Sequence, residues 1–161
     1  MHGSFASAAR PSEIASIEGL LDSGLTPWRR IILSARDNIW SLVDACDYDW
    51  LSRNTWNVSW GSRTPWQLYA KRNVGPDRAT LRQHREIKIV RDPRSERFMR
   101  THHVDHGNGQ TLDNRDDNLA WCTHKQNMKN RRPRSAIPSL EQIVLELMRV
   151  HDIPFPQEVP F

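Results

Sequence analysis

An aspartate and a histidine stand side by side at Asp105-His106, inside a stretch whose residue types are unusual for a plain loop. Residues 102–130 hold four His, four Asp and five Asn. Carboxylate and amide oxygens with imidazole make up the ligand and proton-transfer set of a hard divalent cation. The adjacent pair offers one anionic oxygen ligand and one imidazole that takes a proton near neutral pH. A single Asn in such a stretch caps or bridges a turn, but the whole set in this order reads as one site. His102-His103 offers an alternative dyad on the same segment.

Such a set works only if backbone elements bring it together. Gly107-Asn108-Gly109 has the composition of a turn, so the Asp-His pair should end a strand. Thr123-His124-Lys125-Gln126 is a capping box, which predicts a helix beginning near residue 124. Asn127 then falls in the first helical turn, where its side chain can face back toward the Asp-His strand. Strand, loop and helix converging on one metal form a compact ββα-metal unit.

These residues resemble a family. Asp105-His106, a turn, Leu112-Asp113-Asn114-Arg115-Asp116-Asp117-Asn118-Leu119, then Gln126-Asn127-Met128-Lys129-Asn130 resemble the HNH (His-Me finger) endonucleases, especially the small phage and intron-encoded homing kind. His106 precedes Asn118 by 12 residues and Asn118 precedes Asn127 by 9, as in that family. The resemblance covers residues 82–132 well. It extends more weakly to 42–51 and to the Trp-rich segment that follows, and His84-Arg85 is similar to a His-Arg that often precedes the motif. One departure is Asn108, where members more often carry Asp, and a weaker loop anchor is the expected result.

The resemblance implies roles by position. His106 is the general base that activates water, and Asp105 and Asn127 hold one Mg²⁺ or Mn²⁺ per site. Asn118 braces the loop and fixes the orientation of His106. The implied reaction is hydrolysis of a DNA phosphodiester, nicking or cleaving a duplex to leave a 5′-phosphate and a 3′-hydroxyl. A DNA-binding or phage-packaging accessory protein with the same fold and little cleavage of its own is the alternative. Setting the base at His103 instead stretches the interval to Asn118 to 15 and puts Leu-Asp-Asn-Arg out of step.

Charge placement agrees with a polyanion partner. Residues 61–134 hold 17 Lys/Arg against 8 Asp/Glu, whereas residues 1–60 hold 5 against 7. A concentrated basic stretch is the electrostatic footprint of nucleic-acid binding. Arg85, Lys125, Lys129, Arg131 and Arg132 are the expected phosphate contacts, with Arg82 and Lys88 extending the surface.

The remaining chain predicts an α+β fold: an N-terminal antiparallel β-hairpin region, the ββα-metal nuclease core, and a C-terminal helix. The expected division is a flexible or partly helical segment at 1–25, a β-rich leader at 26–80, the core at 81–134, and helix and tail at 135–161. Residues 1–12 read as disordered, with a short helix capped by Ser12 running to Leu21. Strands are expected at 31–33 and 39–43 across a polar turn, a helical turn at 44–51, and a hairpin of 55–60 with 66–71. Residues 79–90 read as a strand pair or a strand and a turn, and 92–97 as a loop. Ser139 begins a second capping box ahead of Leu140, Ile143, Val144 and Leu147, which predicts a helix over 140–150. That helix packs on the domain or serves as the contact for a second copy or a partner in a phage machine. Five of the seven Trp fall in 40–66 and are read chiefly as packing residues.

Composition sets outer limits. A chain of 161 residues with 37% hydrophobic content suits one modest domain with tails. No apolar run approaches the ~20 residues of a membrane span and no signal peptide is seen, so a cytoplasmic protein with no membrane partner is the expectation. Cys46 and Cys122 form no Cys-x-x-Cys pair, so structural zinc is not expected and both are read as small buried hydrophobes.

Overall fold

A computed structural model describes residues 16–155 of the chain. The N-terminal helix α1 spans Ile17–Asp22, and its cap is Ser16, whose hydroxyl accepts from the Gly19 amide. The expectations for Ser12 and for residues 1–12 lie outside the described residues. Strands β1 (Trp28–Ser34) and β2 (Ile39–Asp44) pair antiparallel and run into α2 (Ala45–Leu51). Asn38 closes their turn at φ 50°, a conformation Asn tolerates better than most side chains.

A three-stranded antiparallel sheet follows: β3 (Asn57–Trp60), β4 (Leu68–Val74) and β5 (Ala79–Arg82), in the order β3-β4-β5. The β3–β4 turn is closed by its own bonds, Gly61 N–H to Gln67 O at 2.9 Å and Gln67 N–H to Thr64 O at 2.8 Å. Gly61 is required there, because a Cβ would sit 2.5 Å from the Thr64 carbonyl oxygen.

Two helices replace an expected strand or turn and an expected loop. Residues 83–91 form α3 (Gln83–Arg91) and residues 96–101 form α4 (Glu96–Thr101). The β-branched Ile87, Ile89 and Val90 suggested a strand. Instead Gln83 and Ile87, four apart, are fully buried on one helical face, and burial overrides local propensity. Glu86 in the first turn and Lys88 and Arg91 in the last suit the helix dipole. α4 is capped by Ser95, a signal within the segment read as a loop.

Strands β6 (His102–His106) and β7 (Leu119–Thr123) pair antiparallel, and β7 passes directly into α5 (His124–Lys129) through the capping box at Thr123 and Gln126. The last helix, α6 (Leu140–Val150), carries the second capping box at Ser139 and Gln142. It buries Leu140, Ile143, Val144 and Met148 against the rest of the chain, leaving Leu145 and Val150 outward. The architecture is therefore α+β, built among the described residues from three small antiparallel sheets and short helices.

One cluster of buried side chains joins these parts. It takes Leu20 and Leu21 from α1, Leu42 and Val43 from β2, Ile87 from α3, Val104 and Leu119 from β6 and β7, and Val144 from α6. The loop between β6 and β7 is also tied to β2 by backbone bonds. Leu42 N–H donates to Leu112 O and Asn114 N–H donates to Leu42 O, both at 2.8 Å, a short parallel bridge. Of the two cysteines, Cys122 is buried as expected. Cys46 is exposed, because the first turn of α2 places it beside Arg91 at the surface. Trp28, Trp40 and Trp56 are core residues, whereas Trp60 is 61% exposed.

Candidate active site

His106 ends β6, and the strand delivers its ring into the interior rather than to the surface. The residue is buried, and its Nε2 lies 2.9 Å from Asn114 Oδ1. An amide oxygen only accepts, so Nε2 carries the proton and Nδ1 is the basic nitrogen. Nδ1 has no partner among the described residues and is left to the cleft that His106 lines. Asn114 is itself held: its Nδ2 donates to Gln83 Oε1 at 2.8 Å, which also accepts from Ser41 Oγ at 2.7 Å. All three of these residues are fully buried, so the imidazole is oriented by a dry chain of hydrogen bonds reaching from β6 through α3 to β2.

Burial pushes the His106 imidazole below its ordinary pKa, against the opposing pull of the Asn114 bond and the Asp113 and Asp105 charges. The His84 ring lies 4.8 Å from it, with a buried Nδ1 that has no partner among the described residues, and is driven further down by burial and by His106 itself. Two imidazoles this close and this poorly hydrated stay neutral at neutral pH, which leaves His106 competent to accept a proton.

Asp105 and Asn127 line the same cleft, of about 730 Å³. Asp105 Oδ2 accepts from Asn130 Nδ2 at 2.9 Å, while its other oxygen and the Asn127 amide have no side-chain partner among the described residues. One carboxylate and one amide oxygen suit a hard cation that keeps much of its shell as water and phosphate oxygens. Among the described residues no group of three or more His, Cys, Asp or Glu is gathered to hold a metal without such outside ligands. Asn130 is a member of this set that sequence reading passed over, although it closes the Gln-Asn-x-x-Asn pattern.

Asn118 makes no hydrogen bond to His106 among the described residues. Its Oδ1 accepts from Asn108 N–H and its Nδ2 donates to Asp113 O, both at 2.9 Å, and its carbonyl accepts from Gly107 N–H at 2.8 Å. It thus clamps both ends of the turn that follows His106. Asn108, expected to weaken the anchor, instead strengthens it. Its Nδ2 donates to Asp113 Oδ2 at 2.8 Å and its Oδ1 accepts from Gln110 N–H at 2.9 Å. An amide is needed opposite the fully buried Asp113 carboxylate, whose charge Arg115 meets at 2.7 Å.

The other dyad sits differently. His102 stacks on Phe98 at 3.7 Å, and its Nδ1 is 3.0 Å from the Phe98 carbonyl, so its ring belongs to the α4 side of β6. His103 lines the cleft but is exposed, with the His124 ring centre 5.8 Å from its own.

The basic residues divide. Lys125, Lys129, Arg131 and Arg132 are exposed along α5 and beyond it, with no ion pair among the described residues, and Arg132 donates to Gly107 O at 2.7 Å. Arg85 is engaged inside the fold: it donates to the His102 and Met99 carbonyls and lies over the Trp121 ring. Lys88 is likewise drawn into a half-buried pair with Asp116 at 3.1 Å, which removes it from the expected basic surface.

With this geometry in hand, comparison with known proteins adds one match. The sequence profile of the HNH endonuclease family matches residues 100–129, the segment that runs from the end of α4 through β6 and β7 to α5. Residues 100–129 are thus similar to HNH endonucleases, and nuclease chemistry on DNA is the class that this similarity suggests. No curated protein and no solved structure gives a significant match to the chain.

Proposed function

We propose that the protein is a metal-dependent DNA endonuclease of the ββα-metal type that cuts one strand per site, with His106 as general base. The observation that carries this reading is the His106 ring itself: buried, fixed through Nε2 by Asn114, and presenting Nδ1 to the cleft it shares with Asp105 and Asn127. Nδ1 takes a proton from water poised against the phosphate, and Asn114 stabilises the imidazolium by keeping its carbonyl on Nε2–H. Asn118 and Asn108 keep the turn after His106 rigid, so the ring does not drift from the line of attack. Asp105, with Asn130 on one oxygen, and Asn127 are the residues that would hold a single Mg²⁺ or Mn²⁺. When bound, such an ion supplies Lewis-acid stabilisation of charge on the phosphate and the leaving 3′-oxygen. The products are then a 5′-phosphate and a 3′-hydroxyl. Lys125, Lys129, Arg131 and Arg132 position the backbone without reading sequence.

The test is supercoiled plasmid incubated with the protein in Mg²⁺, in Mn²⁺ and in EDTA. Conversion to the open-circular form in either metal and none in EDTA is expected. Plasmid binding with no cleavage under any metal would instead leave an accessory DNA-binding protein on an HNH scaffold. The resemblance to small phage and intron-encoded members supports a setting of that kind. A partner docking on α6 would have to use its outward residues, Leu145 and Val150.

A further inference from the structure

The cleft has a second wall that the HNH segment does not supply. It is the β3–β4 hairpin, which brings Trp60, Arg63, Trp66 and Tyr69 to face β6 and the residues after α5. Two of its rings already have a cation: Arg82 lies 5.3 Å from the Tyr69 ring centre and Arg134 lies 5.7 Å from that of Trp66. Trp60 differs. It is 61% exposed, and neither its face nor its indole N–H has a partner among the described residues, unlike the buried Trp56, which donates to Leu51 O. Arg63, Arg131, Arg132 and Arg134 have no ion pair among the described residues. An open indole face in the same cleft as guanidiniums without carboxylate partners is the arrangement that stacks a base while the backbone runs along the cations.

The size of the cleft bears on which form of DNA fits. At about 730 Å³ it lies within the range of small-ligand sites and has room for one or two nucleotides beside Trp60. A base inside it must have left its stack, and a flipped or single-stranded base is the form read by stacking on aromatic side chains. We infer that the β3–β4 hairpin is the base-binding jaw of the enzyme, and that its substrate is DNA presenting an unpaired base, stacked on Trp60, beside the strand whose phosphate meets Asp105 and His106. This deepens the nuclease reading and rests on it.

The test uses the full chain in EDTA, where binding is read without cleavage. The probes are a short single-stranded DNA and the same sequence as a blunt, fully paired duplex. Trp60→Ala is expected to weaken single-strand binding by about 5- to 100-fold, Trp60→Phe to restore most of it, and duplex binding to change less than about two-fold. Trp60 is a surface residue, and a circular dichroism spectrum matching the parent protein confirms that the fold is kept. Unchanged single-strand affinity in Trp60→Ala, an equal loss on both probes, or a parent protein that binds only the paired duplex each overturns the inference. Plasmid nicking by the parent protein separates the two readings. Nicking with an indifferent Trp60→Ala removes the jaw alone, whereas Trp60-dependent binding with no cleavage of plasmid or of single-stranded DNA in any metal removes the nuclease.

Discussion

The two ends of β6 carry the same residue type in different surroundings. At its start, His102 is stacked on Phe98 and His103 stands in solvent beside another exposed histidine. At its end, Asp105 faces the cleft and His106 is buried, with one nitrogen fixed and the other open. A strand of five residues thus holds an imidazole whose tautomer is free and one whose tautomer is dictated. The difference arises from what backs each end. A short helix of six residues, α4, backs the start, whereas the Asn114-Gln83-Ser41 chain from three distant elements backs the finish. On the proposed reading, the backing and not the residue type decides which of these imidazoles reacts.

Three measurements sharpen or break that contrast. The largest effect is expected from His106→Ala, which should lower plasmid nicking by about 10²–10⁴-fold, the usual contribution of a positioned base. His103→Ala should stay within about three-fold of the parent. The reverse ranking would break the comparison and move the base to the start of the strand.

A smaller loss should follow from Asn114→Leu, about 100-fold in kcat with little change in KM, because a base turned off line loses its geometry and not its substrate. Nitrogen-15 spectra of metal-free protein should show His106 protonated on Nε2 in the parent chain and a tautomer mixture in the variant. A parent spectrum with the proton on Nδ1 would contradict the assignment directly.

The mildest effect concerns stability. His84 and His106 are both held below the ordinary imidazole value, so the folded state resists protons that the unfolded chain accepts. Stability is therefore complete above ~pH 6.5 and falls as the pH drops below it, by at most about 1.4 kcal/mol per pH unit for each such histidine, until the folded groups titrate. Thermal melts at pH 7.5 and 5.5 should show this decline, and His84→Phe should flatten part of it. Melting temperatures that rise on acidification would mean that these imidazoles are charged in the fold.

Sequence reading located the Asp-His strand end, the turn and the helix bearing Asn127 because each has a local signature: glycines, a capping box, a fixed interval. It was silent on Asn114, Gln83 and Ser41, because three residues from separate elements meet only after packing and none has a local pattern that reports it. The helix at 83–91 was hidden for a related reason: Ile87, Ile89 and Val90 favour a strand locally, and only the buried Gln83 and Ile87 reveal the helical period. Arg85 and Lys88 illustrate the same limit for charge, since composition counts a cation without showing the carbonyl or carboxylate that engages it. Trp60 is the opposite case, a residue type rightly read as packing material in general whose one exposed example lies at the cleft.

The short bridge between Leu42 and Asp113 has a consequence for how the molecule comes into being. It joins segments about 70 residues apart, and contacts of such long range are made late because their loop must close first. The residues that orient His106 therefore have no arrangement until the chain through Asn114 is present. A polypeptide released earlier, though it contains the whole Asp-His pair, would hold that pair on an unsupported strand. On the proposed reading, a chain that ends between His106 and Asn114 should be inert toward DNA.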